Sequence, residues 1–225
     1  MDATQRNGGT AGIVGAVLLV LFLILTMAMG MDPHTAGDPA QALAMIALKR
    51  GLWRLVGIVG TLAAAPGIVF TIGLSHRLKA GAPTRAATIL YFVTVGLGGY
   101  ALSSLLQWKG GLQLADYAVK DQVGAGHAWL ALHAAAGGAQ VLGSGFVGAA
   151  LLIAGWAVIE TAALNPLVGW VGVIAGLLNL AGVFASASFP VFLGTIVFDV
   201  VWLAWAGVEL RSAQDPGGAS APLRR

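Results

Sequence analysis

Residues 168–210 read VGWVGVIAGLLNLAGVFASASFPVFLGTIVFDVVWLAWAGVEL and indicate the architecture of the chain most clearly. This stretch contains two acidic residues, Asp199 and Glu209, and no Lys or Arg. About 20 apolar residues are enough for a helix to cross a hydrocarbon core of about 30 Å, so the stretch is long enough for two crossings. Pro190 divides it, because proline clashes with a continuing helix but suits the first turn of a new one. The stretch therefore predicts two spanning helices, over 168–189 and 190–210.

The rest of the chain has the same character. Hydrophobic residues make up 58% of the 225 residues and charged residues only 9%, whereas a soluble domain is about half apolar and about a quarter charged. Such a chain has too few polar residues to face water on all sides. Further apolar runs at 11–30, 52–75, 86–107 and 130–158 bring the total to about six. The predicted fold class is all-α, a polytopic transmembrane helix bundle over 11–210.

The charged residues predict how the bundle is oriented. The loop SHRLKAGAPTR, residues 75–85, is strongly basic, and basic loops favour the cytoplasmic side of a membrane. We predict that both termini are cytoplasmic, with a short tail at 1–10 and a disordered polar tail at 211–225. The expected location is the bacterial inner membrane, with membrane lipids as the first partners. The sequence leaves open a homo-oligomer or a larger membrane complex.

The residues required for several classes of function are absent from the sequence. The chain has no Cys, which excludes disulfides, thiolate metal sites and cysteine nucleophiles. Its net charge of +3 forms no basic stripe, so we expect no nucleic-acid partner. No phosphate-binding loop, HExxH or GxSxG motif occurs. We therefore expect a non-enzymatic protein, with no cofactor other than a lipid or small amphiphile.

The four histidines do not predict a haem or metal site. A haem held between two helices needs two imidazoles at matched depth, but His76 is expected at the inner end and the other three on the outer side. His34 and His127, with Asp32 or Asp38, are the candidates for an outer metal ion. Their spacing matches no known metal signature.

Small residues share one face of the helix predicted at 168–189, where side chains recur at helical spacing. These residues are Gly169, Gly172, Gly176, Asn179 and Ser186. Gly172 and Gly176 form a GxxxG pair, which lets helices approach closely in lipid. Gly145 and Gly148 provide small residues in the preceding span. We interpret them as helix-packing residues; an oligomer interface and a ligand crevice are the alternatives.

Asp199 lies in the middle of the last span, where a charged acid costs roughly 2.5–3.5 kcal/mol on insertion scales. Three arrangements reduce this cost. The acid is protonated and hydrogen-bonded to Asn179, Gln140, Thr71 or Ser103; it pairs with Arg54; or it lies at a shallow depth near water. We predict an intramembrane polar network of Asp199, Asn179, Gln140 and Arg54.

Several motifs resemble a known family. They are Asn165-Pro166, Gly169-Trp170, Gly172, Gly176, Asp199, Trp202-Leu203 and Gly207 in the C-terminal half, and the basic stretch IGLSHRLKAGAPTRAATILYF at 72–92. Together they resemble the bacterial polytopic membrane family catalogued as domain of unknown function 4386, over the C-terminal two-thirds of the chain. In that family the acid is commonly Glu, and a basic residue precedes Gly-Trp. The resemblance implies a multi-pass architecture and no particular activity.

Three functions are compatible with these features. The leading hypothesis is an accessory or scaffold protein, or one that binds a lipid or small ligand. The second is a small proton- or cation-coupled transporter that uses Asp199, and the third is a cofactor-binding subunit of a redox complex. A transporter predicts a discontinuous helix and a water-filled path to Asp199, whereas a scaffold predicts a dry, tightly packed surround.

Overall fold

The structure is a computed structural model that describes residues 2–30, 38–184 and 189–212. Within these ranges the chain forms eight helices and no strand. The helices are α1 Ala3–Met29, α2 Pro39–Leu48, α3 Arg50–Leu62, α4 Ala64–Leu78, α5 Pro83–Tyr117, α6 Gln122–Thr161, α7 Pro166–Phe184 and α8 Phe189–Ser212. The predicted all-α class is confirmed.

Six segments of the described chain are long and apolar enough to cross a membrane. Five are single helices: α1, α5, α6, α7 and α8. The sixth is formed by α3 and α4 together, over Arg50–Leu78, with an interruption at Ala63. Pro66 explains this break, because it has no N–H to donate to the carbonyl of Leu62 one turn earlier. The predicted six-helix transmembrane bundle is confirmed.

The first helix begins earlier than the predicted tail at 1–10 allows. Asp2 caps α1 by accepting a hydrogen bond from the Thr4 N–H at 3.2 Å. Gly8 then packs directly on Gly73 of α4, since a Cβ built on Gly8 would lie 2.6 Å from the Gly73 Cα. The tertiary contact extends the helix into the predicted tail. At the other terminus α8 ends at Ser212, and the predicted tail beyond it lies outside the described residues.

Two helices are much longer than the predicted spans of 86–107 and 130–158. α5 has 35 residues and α6 has 40, about 50 and 60 Å at the α-helical rise of 1.5 Å per residue. Charged residues between those two predicted spans, such as Lys109 and Asp116, lie on exposed helix surface. Asp121 ends the short turn and caps α6. The Gly124 N–H and the Tyr117 hydroxyl donate to it, and these bonds hold the pKa of its carboxyl below the usual range.

These extensions carry a second apolar core. We call the end of the bundle with Arg77, Lys79 and Arg85 the basic end, and the other the opposite end. The main core lies among α4–α8. The second, which we call the opposite-end cluster, consists of Met29, Ala42, Leu43, Ile46, Trp53, Ala115, Ala125 and Trp129. It joins α2 and the start of α3 to the far ends of α5 and α6.

α6 and α7 pack with their backbones in contact. A Cβ on Gly155 would lie 2.5 Å from the Gly169 carbonyl oxygen, and one on Gly176 would lie 2.8 Å from the Gly148 carbonyl oxygen. Both contacts are closer than side chains tolerate, so these glycines are needed for the approach.

The other glycines named for packing have different surroundings. Gly172 faces α8, where an added Cβ would lie 2.8 Å from the Trp202 ring. Gly145 is loosely packed, because its nearest neighbour would be Val183 Cγ2 at 3.8 Å. Ser186 lies outside the described residues. The small-residue face of α7 therefore lies between α6 and α8.

Candidate functional site

A cavity of about 250 Å³ lies inside the bundle. Every described helix except α2 contributes to its wall. Most of the lining is apolar. The polar lining residues are Thr71, Tyr100, Ser103, Ser104, Gln107, Gln140, Ser144, Thr195 and Asp199. An apolar cavity with a few polar groups is the usual form of a small-molecule site, and this one is slightly smaller than the roughly 300–1,000 Å³ typical of such sites.

The Asp199 carboxylate accepts hydrogen bonds from one side chain of the neighbouring helix α7. The Asn179 Nδ2 donates to the two carboxylate oxygens of Asp199 at 3.0 and 3.3 Å, and to the Ala175 carbonyl at 3.0 Å. Asn179 is fully buried. Asp199 is partly exposed, because it also faces the cavity. The two acceptors on Nδ2 fix which way the Asn179 amide is oriented.

Two hydroxyl groups extend this pair into a relay. The Tyr100 hydroxyl donates to Asn179 Oδ1 at 2.9 Å and lies 2.9 Å from Ser144 Oγ. Since Tyr100 has only one hydroxyl proton, Ser144 must donate to the Tyr100 oxygen. The donors then run in one direction, from Ser144 through Tyr100 and Asn179 to Asp199. We call these four residues the Asp199 relay; each hydrogen bond polarises the next toward the carboxylate.

Each member of the relay comes from a different helix. Tyr100 is on α5, Ser144 on α6, Asn179 on α7 and Asp199 on α8. The close approach of α5 and α6 brings the first two together, since a Cβ on Gly143 would lie 2.9 Å from the Tyr100 ring. The relay therefore depends on the backbone packing of the bundle rather than on any local motif.

A comparison with known protein families gives a match that covers the residues of this site. The family model described as "Domain of unknown function (DUF4386)" matches residues 13–210. The chain belongs to the DUF4386 family. The match extends from α1 to α8, so the extent predicted from the motifs, the C-terminal two-thirds, was too short. No curated protein and no solved structure matches the chain.

The structure of this DUF4386 chain brings together some of the predicted network residues. Asn179 and Asp199 are hydrogen-bonded, and Gln140 lines the same cavity. Arg54 is exposed on α3 and is not among the described residues that line the cavity. Within the described ranges, Asn179 is the only side chain that donates to Asp199.

Thr71 and Ser103, the two other residues suggested as partners of Asp199, form hydrogen bonds within their own helices. The Thr71 hydroxyl donates to the Gly67 carbonyl at 2.8 Å, and Ser103 accepts a hydrogen bond from Gln107 Nε2 at 3.2 Å. Both residues are buried and line the cavity. Sequence reasoning missed Tyr100 and Ser144. The available signal was a tyrosine in mid-span, away from the interfacial positions that aromatic residues prefer.

No group of three or more possible metal ligands occurs in the described part of the DUF4386 chain. His127 is exposed near the start of α6. His34 and Asp32, its suggested companions, lie outside the described residues. The cavity beside the Asp199 relay is therefore the candidate site.

Proposed function

We propose that this chain is a non-enzymatic membrane protein that binds a small amphiphile in the cavity beside Asp199. The observation that carries the proposal is the cavity itself, which is mainly apolar and has a carboxylate in its wall. A pure scaffold predicts tight packing around Asp199, and the cavity argues against that alternative. Buried polar groups in a membrane protein are expensive to maintain and frequently mark a functional site.

The order of residues along α5 supports an amphiphilic ligand. Ile89, Val93 and Leu97 line the cavity toward the basic end, and Ser103, Ser104 and Gln107 line it toward the opposite end. Tyr100 lies between the two groups. The wall therefore changes from apolar to polar along one helix, which complements a molecule with an apolar part and a polar part.

Ligand retention should depend on the free volume of the cavity. We expect Val93→Phe to lose a small molecule that co-purifies with the unmodified chain in mild detergent, because the larger ring would occupy the cavity. Val95→Phe is the matched control, since Val95 lies on the same helix, does not line the cavity and is 44% exposed. Mass spectrometry of the extracted small molecules measures the difference. Equal retention by both variants would contradict the proposal.

A second function, proton- or cation-coupled transport, is favoured by the interruption at Ala63. Ala63 and Ala64 line the cavity together with Gly60 and Gly67, so the broken helix borders the site. Discontinuous helices are common at the binding sites of transporters. Proton flux into liposomes that is lost in Asp199→Asn would establish transport; no flux above that of protein-free liposomes would reject it. A visible absorption spectrum tests the third hypothesis, a haem-binding redox subunit.

We further propose that the basic end faces the cytoplasm of a bacterial inner membrane. The absence of cysteine from the sequence allows single-cysteine labelling without background. In intact cells with a permeabilised outer membrane, a membrane-impermeant maleimide should label Val119→Cys but not Lys79→Cys. Both positions are exposed, at opposite ends of the bundle. Labelling of Lys79→Cys alone would reverse the orientation.

A further inference from the structure

The charge of the cavity wall is unbalanced. Among the described residues that line the cavity, Asp199 is the only acid, and no Lys, Arg or His is present. A buried carboxylate without a nearby cation is unfavourable, and an opposite charge brought close to it is strongly stabilising. The wall therefore complements a ligand that carries a positive charge.

Asp199 also has unused hydrogen-bonding capacity. A carboxylate has about four acceptor positions, and Asn179 supplies one N–H shared between the two oxygens. The directed donors of the Asp199 relay strengthen the hydrogen bond that Asn179 donates to the carboxylate. The remaining acceptor positions are available on the side of the group that faces the cavity.

Aromatic rings surround the same space. Phe22, Phe70, Tyr100, Phe192 and Trp202 line the cavity. Trp202 follows Asp199 by three residues, so the two share one face of α8. Aromatic faces attract organic cations. Carboxylate and rings together form a wall suited to an alkylammonium group.

From these three features we infer that the ligand is a cationic amphiphile, whose ammonium group contacts Asp199 and whose apolar part extends toward Val93 and Ile89. This inference rests on the proposed function and specifies its ligand class. The direction follows from α5, where the apolar lining residues lie between Tyr100 and the basic end.

Three probes of equal chain length separate charge from hydrophobicity: octylamine, 1-octanol and octanoate. Their binding is measured at neutral pH by equilibrium dialysis of the radiolabelled probe against the full chain in mild detergent, with protein-free micelles as the blank. We expect octylamine to bind at least about tenfold more tightly than 1-octanol, the effect of one charged hydrogen bond. Octanoate should bind most weakly, because it would be repelled by Asp199.

Two substitutions test the role of the carboxylate. Asp199→Asn should remove the preference for octylamine while changing 1-octanol binding by less than about threefold, since the cavity remains. Asp199→Glu keeps the charge and should keep the preference. Equal binding of octylamine and 1-octanol to the unmodified chain would overturn the cationic inference alone, as would a preference that persists in Asp199→Asn.

Failure of the proposed function gives a different result. In that case each of the three probes would bind the unmodified chain no more strongly than the Val93→Phe variant. That outcome would reject amphiphile binding in the cavity and, with it, the inference about charge.

Discussion

Replacing Trp53 with alanine is expected to destabilise the protein by about 3–5 kcal/mol, the usual cost of truncating a buried tryptophan. Trp53 is 3% exposed and lies in the opposite-end cluster. Its ring centroid is 6.4 Å from that of Trp129, and its indole N–H donates to the Gln107 carbonyl at 3.2 Å. The substitution would remove these contacts and leave a cavity between α3 and the end of α5. The thermal unfolding midpoint in detergent measures the effect.

Trp170→Ala is the matched control for this experiment. Trp170 is 50% exposed on α7 and meets another ring, Trp156, edge-on at 6.5 Å. Its removal should cost no more than about 1 kcal/mol, because exposed side chains contribute little to stability. If the two variants unfolded at the same temperature, the opposite-end cluster would not be a folded part of the protein.

The second large effect is expected from Gly155→Ala, which should lower stability by about 1–3 kcal/mol through overpacking. An added Cβ would lie 2.5 Å from the Gly169 carbonyl oxygen and 2.7 Å from the Val173 nitrogen. Both are backbone atoms, so the clash is relieved only if α6 and α7 move apart. The unfolding midpoint should fall, and the Asp199 relay should be disturbed because it joins these two helices.

Gly98→Ala provides the comparison, because a Cβ at Gly98 would have no atom within 4 Å. Alanine is also favoured over glycine in a helix by about 1 kcal/mol. This variant should therefore unfold at the same temperature as the unmodified chain or at a higher one. An equal loss of stability in both variants would show that glycine is not required for contact between α6 and α7.

The main features of the fold were predictable because they are local. Apolar runs of about 20 residues identify spanning helices directly, and Pro66 and Pro190 mark the positions where helices break or begin. The extensions of α5 and α6 were not predicted, because charged residues near Lys109 and Asp116 end the apolar runs from which the spans were identified. Those residues are helical because the opposite-end cluster packs against the other side of the same segments.

The site was predictable only in part. A polar residue in an apolar span needs a partner, and this reasoning named both Asp199 and Asn179. It did not identify Tyr100 or Ser144, because which helices are neighbours is a tertiary property. Arg54 was an expected partner, but its long side chain is exposed, in keeping with the tendency of arginine to extend toward the interface. The cavity left no signal in the sequence, since its volume results from how several helices pack.

The most direct test is anomalous diffraction from crystals grown in a lipidic mesophase with 8-bromo-1-octanol, whose bromine marks the apolar end of a neutral amphiphile. The proposed function predicts a bromine peak inside the bundle, beside Val93 and Ile89, with the hydroxyl group near Asp199. Bromine found only on the lipid-facing surface, with side chains closed around Asp199, would contradict it.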